Sequence, residues 1–152
     1  MVLGAVLAVS SAQALAAGSD SSDYRASIKP QASDSMKTAK QAIDNQNYQR
    51  AISALRAELQ TNPGNADAWN LLGFSSRKSG DFSTAESAYT RALTLDPTHT
   101  AALEYMGEMY LSLNKPDDAQ SLLTRLDELC SFNCKHRDQL QAAIAAYQAQ
   151  QN

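Results

Sequence analysis

An all-α chain of repeated helical hairpins is the fold this sequence predicts, and three observations carry the prediction. From Asp34 onward no stretch shows the two-residue alternation of a half-buried strand. Caps and breakers punctuate the chain at Asn45-Gln46-Asn47, Asn62-Pro63-Gly64, Ser79-Gly80-Asp81, Asp96-Pro97 and Asn114-Lys115-Pro116. The breaks also recur: Pro63 and Pro97 lie 34 residues apart, as do Gly73 and Gly107, Tyr48 and Phe82, Ala51 and Ala85, and Ala85 and Ala119. A period of this length holding two helices marks a repeat architecture.

Composition sets the bounds. The 152 residues are 43% apolar and 19% charged, which suits one soluble domain with a modest core. A formal net charge of -3 leaves no basic footprint, so no nucleic-acid partner is expected.

The chain begins with an export pattern. Met1 to Ala17 carries no charge, runs through Val2, Leu3, Val6, Leu7 and Val9, and ends in small residues. Residues 1–16 therefore read as a signal peptide cut after Ala16, although the positive segment that normally opens such a leader is missing and the first basic residue is Arg25. A start assigned too far downstream accounts for that gap. The apolar run is shorter than the ~20 residues a spanning helix needs. The expectation is a periplasmic or secreted protein with no membrane anchor in the mature chain. Residues 17–33, rich in Ser and Asp and carrying Pro30, read as a flexible linker.

The helical domain is expected over 34–150, with repeats at about 32–65, 66–99 and 100–133 and a capping helix at 135–150. Asn65 and Asp81 are N-cap residues, and Pro116 suits a first helical turn. In the central hairpin Gly73 and Ala85 let two facing helices approach, and Trp69, Leu72, Tyr89 and Leu93 fill the space beside them. Phe82, Ala85, Tyr89, Ala92 and Leu93 keep to one helical stripe, a core role rather than a ligand-stacking one. Leu140, Ile144 and Tyr147 give the last segment an amphipathic face that covers the end of the stack.

With Ala66 as first position, Trp69, Leu72, Gly73, Phe82, Ala85, Tyr89, Ala92 and Pro97 fall where tetratricopeptide repeats place their signature residues; Ser76 departs, where an aromatic is usual. The chain resembles that family. The third copy keeps Leu103, Met106, Gly107, Tyr110, Ala119, Leu123 and Leu126, with Ser131 in place of the closing proline. The first is degenerate: it keeps Tyr48, Ala51, Leu55 and Pro63 but has Ser35, Thr38, Ala39 and Ala42 where larger residues are usual, and Glu58 in place of a small one.

The resemblance implies a right-handed α-solenoid whose first helices line a concave groove that holds another protein or a peptide. Carried over by position, that groove takes Met36, Lys40 and Ile43; Asp67, Asn70, Phe74, Arg77 and Lys78; and Ala101, Glu104, Glu108, Leu111 and Ser112. Lys40, Asn70, Phe74, Arg77, Lys78, Glu104, Glu108 and Leu111 are the candidate partner-binding residues. The alternative for Phe74 and Leu111 is packing against the neighbouring repeat. The basic residues with which some members clamp a terminal carboxylate are replaced by Met36, Leu71, Ala101 and Tyr105, so that activity is not implied.

Cys130 and Cys134 enclose Ser131-Phe132-Asn133 at the junction with the capping helix. In an exported protein a disulfide is the simplest reading, with reduced structural thiols and a redox switch as alternatives. A continuous helix through both cysteines would speak against the bridge, because helical spacing aligns them poorly. His136 does not complete a zinc or haem pattern. No nucleophile-and-base set or glycine-rich phosphate loop is present. No cofactor, metal or catalytic activity is expected. The first functional expectation is a binding adaptor or assembly factor in the bacterial periplasm. The alternatives are a redox-responsive structural protein switched by Cys130 and Cys134, and a scaffold that self-associates through its N-terminal end.

Overall fold

The computed structural model describes residues 33–151. The expected leader, and all of the expected linker but Ser33, lie outside the described residues. Among those described there are seven helices and no strand: α1 (Asp34–Asp44), α2 (Tyr48–Thr61), α3 (Ala66–Lys78), α4 (Phe82–Leu95), α5 (Thr100–Ser112), α6 (Pro116–Leu129) and α7 (Lys135–Gln151). Each pair α1–α2, α3–α4 and α5–α6 packs as a hairpin, each hairpin packs on the next, and α7 lies against both α5 and α6. The described residues form a helical solenoid.

Local chemistry fixes where the helices start. Ser33, Asn47, Asn65, Asp81 and His99 each accept a hydrogen bond from the backbone N–H three residues on, the usual N-cap arrangement. α6 has no such side chain and starts with Pro116, whose missing N–H would have lacked a helical partner anyway.

The turns inside the hairpins are one device used three times. Gln46, Gly80 and Asn114 have φ of 56°, 81° and 59°. In each turn the next N–H reaches back five residues, from Asn47 to Ala42, Asp81 to Ser76 and Lys115 to Tyr110. This is a Schellman close, whose left-handed position glycine fills without steric cost. Only the middle hairpin has the glycine.

The core forms two clusters. One gathers Met36, Ala39, Ala51, Leu55, Ala68 and Leu72, and the other Tyr89, Leu103, Met109, Leu126 and Leu140 with their neighbours. Trp69 packs against both, and its indole N–H donates to the Pro63 carbonyl at 2.9 Å. Gly73 admits a ring rather than a backbone: a Cβ there would stand 2.6 Å from the Tyr89 ring.

The degeneracy of the first repeat acquires a cause. Buried Glu58 on α2 accepts from the hydroxyl of Ser33, the cap of α1, and from the amide of Asn65, the cap of α3, at 3.0 Å. One carboxylate thus ties two helix starts to a third helix. These donors hold it below the usual carboxylate range against the opposing effect of burial.

Candidate protein-binding groove

The face shared by α3, α5 and α7 is built from an offset of 31 residues. Arg77 on α3 meets Glu108 on α5 at that separation, Nη2 to Oε2, 2.8 Å apart. The same step leads from Phe74 to Tyr105 and from Tyr105 to His136, with ring centroids 5.1 Å and 6.4 Å apart. Tyr48, at the start of α2, closes the other end of the row, 6.3 Å from Phe74 with the rings near perpendicular. Four rings from four helices therefore follow one another, the two outer contacts edge to face, as aromatic quadrupoles favour, and the middle one tilted.

Cations border this row. The Arg77 guanidinium and the Lys78 ammonium each lie 5.7 Å from the Phe74 ring centre, within cation–π range. Beside them an open groove of about 500 Å³ is lined by Arg77, Glu108, Leu111 and Ser112, and across from them by Ala143, Ala146, Tyr147 and Gln150 of α7. The Tyr147 hydroxyl is anchored to Asn114. Burial raises the Tyr105 phenol, and the nearby carboxylates of Glu104 and Glu108 add to the rise.

The structure brings Phe74, Arg77, Lys78, Glu108 and Leu111 together. Lys40 is exposed on α1. Two candidates are withdrawn from the open surface. Asn70 is only 4% exposed, with Oδ1 left without a partner among the described residues. Glu104 is 2% exposed because α7 covers it, and its carboxylate meets His136 Nδ1. Burial raises the Glu104 carboxyl, and His136 offsets part of that rise.

Several residues of this face lie outside the positional reading: Tyr48, Tyr105, His136 and the inner side of α7. The signal for them was the offset. Moving one repeat forward and one helical turn back lands on the next residue of the row, and α7 obeys the same register. Leu140 stands 34 residues after Met106, and its side chain lies over Gly107, 2.6 Å from where a Cβ would be. The amphipathic lid is therefore also a wall of the groove.

Cys130 and Cys134 sit in a non-helical link between α6 and α7 with Cα atoms 5.7 Å apart, within the range of a bridged pair. Among the described residues no three His, Cys, Asp or Glu side chains gather as a metal site, and no helix is long and apolar enough to cross a membrane.

Comparison with known proteins adds a family. The sequence profile described as the cytochrome c-type biogenesis protein H TPR domain matches residues 20–152. The chain is 27% identical over 122 residues to the cytochrome c-type biogenesis protein CcmH of Escherichia coli (strain K12), covering 70% of this chain and 34% of that protein. It is 29% identical over 97 residues to the human Superkiller complex protein 3, covering 62% of this chain and 6% of that one. To the tetratricopeptide repeat protein 37 of Xenopus laevis it is 26% identical over 87 residues, covering 57% and 6%. The chain thus spans about a third or less of the length of these relatives.

Proposed function

The chain belongs to the family of the cytochrome c-type biogenesis protein H TPR domain, and from that premise we propose that it is a binding adaptor in the assembly of c-type cytochromes. It acts by holding a segment of a partner protein, not by catalysis, and the partner lies along α3, α5 and α7. One observation carries the reading: the Arg77–Glu108 pair lines an open groove that α7 completes, and the row Phe74, Tyr105, His136 joins it through Arg77, whose guanidinium lies over the Phe74 ring. Apolar rings flanked by a few placed charges suit recognition of a peptide segment. The leader-like Met1 to Ala17 supports a bacterial periplasmic location.

Peptides tiled across c-type cytochromes and their assembly proteins, titrated by fluorescence polarisation, test it. At least one peptide should bind, and Phe74→Ala should weaken it about tenfold or more, as truncating an aromatic anchor does. Undiminished binding to Phe74→Ala and Tyr105→Ala, both folded, would remove the site.

A second reading rests on the cysteine pair at the joint that carries α7. If Cys130 and Cys134 exchange between dithiol and disulfide in the cell, the joint and the groove wall respond together. Alkylation followed by mass measurement should then find both forms; a bridge that cellular reductants leave intact makes the pair structural only.

A further inference from the structure

We infer that the segment held on this face sets a carboxylate beside the apolar side chain that packs on Phe74, an inference that rests on the groove reading above and names the chemistry of its occupant. The anions of the face are already taken. Glu108 is paired with Arg77 at 2.8 Å, and Glu104 is buried against His136 of α7. The rest of the groove lining is uncharged: Leu111, Ser112, Ala143, Ala146, Tyr147 and Gln150.

At Phe74 a cation is left over. Lys78, exposed at the end of α3, enters no ion pair among the described residues, and its ammonium stands 5.7 Å from the centre of the partly exposed Phe74 ring. Arg77 lies over the same ring and also lines the groove, so an occupant that reaches from the groove onto Phe74 passes beside Lys78. On α1, Lys40 and Asp44 lie one turn apart with opposite signs and add no net charge to the face.

Covering the ring therefore strips water from an unpaired ammonium. With an uncharged occupant nothing offsets that loss, and a cationic one is repelled. A carboxylate next to the apolar anchor pairs with the ammonium and offsets its desolvation. The row continues past Phe74 to Tyr48 on one side and Tyr105 on the other, so the occupant runs on in both directions. The carboxylate is accordingly an Asp or Glu side chain within the segment, not a chain end. Because the chain as a whole carries -3, the preference is local to the anchor and not a long-range attraction of acidic partners.

Selection of phage-displayed random peptides on the full chain tests this without assuming a cytochrome partner. Enriched sequences should carry Asp or Glu next to an aromatic or large aliphatic residue. In fluorescence polarisation one such peptide, synthesised with an amidated C-terminus, should bind about fivefold more weakly to Lys78→Gln, as loss of an exposed charge pair does, and more weakly still to Lys78→Glu. A copy of the peptide with lysine in place of the acid should prefer Lys78→Glu to the parent, a reversal that a structural role for Lys78 would not produce. Both variants should match the parent in circular dichroism, because Lys78 is exposed. Should no cytochrome-derived peptide bind, an acidic consensus still upholds this inference and only the cytochrome partner falls. Enriched sequences that are neutral or basic beside the anchor, or binding indifferent to Lys78→Glu, overturn the inference while Phe74→Ala still decides the groove. No enrichment at all removes both.

Discussion

Gly73 in α3 and Gly107 in α5 occupy the same place in successive repeats, yet the ring over Gly73 is Tyr89 from its own hairpin and the side chain over Gly107 is Leu140 from α7. The middle hairpin seals itself. The last one is sealed by a helix outside its repeat, held by Leu140, Ile144 and the Glu104–His136 contact. The difference places the groove at the second seam, because the helix that completes the core there also presents Ala143, Ala146 and Tyr147 to the open side. Core and proposed recognition surface share an element at one end of the stack and not in the middle.

The largest effect should come from removing the foreign side chain. Leu140→Ala empties a fully buried site and should cost about 3 kcal/mol in chemical denaturation. Hydrogen exchange should rise in α7 and α5 more than in α3. An equal rise in all three would mean that the last seam is as self-sufficient as the middle one.

The two glycines come next. Gly73→Ala drives a methyl into a rigid ring and should destabilise by about 2 to 3 kcal/mol, whereas Gly107→Ala meets a flexible leucine and should cost about 1 kcal/mol. Equal costs would erase the contrast between the seams.

The buried carboxylates sharpen it through pH. Glu58 has its folded pKa lowered, so its contribution is present above the unfolded value near 4.5 and is lost as pH falls through the folded value. Glu104 has its folded pKa raised, so its contribution is present below that value and fades as pH rises. Relative to the parent, Glu58→Gln should therefore be most destabilised above pH 4.5 and converge with it in acid. Glu104→Gln should gain on the parent as pH rises from 4.5. Denaturant midpoints across pH for the two variants should slope in opposite directions.

The smallest effect concerns the shared turn. Gln46→Gly and Asn114→Gly supply the residue that Gly80 already provides and should raise stability by about 0.5 kcal/mol each; Gly80→Ala should lower it by about 1 kcal/mol.

Most of the fold was legible because repeats write it locally. Caps at Asn65 and Asp81 and Pro116 at a helix start act within one turn of their positions, and the small residue Gly73 meets Tyr89 of its own hairpin. The face was less legible because it depends on how one helix meets the next. Position alone put Glu104 in the open groove, and only the placement of α7 buries it beneath His136. Glu58 read as decay because its partners, Ser33 and Asn65, lie 25 residues before it and 7 after. Tyr105 was set aside as a lost clamp residue, although the 31-residue step of the row places it between Phe74 and His136.

Amide hydrogen exchange with a bound partner peptide tests the central claim most directly, that recognition occurs on the face completed by α7. Protection should appear together in α3, α5 and α7 and be absent when Phe74 and Tyr105 are alanine. Protection confined to α2, α4 and α6 would contradict it.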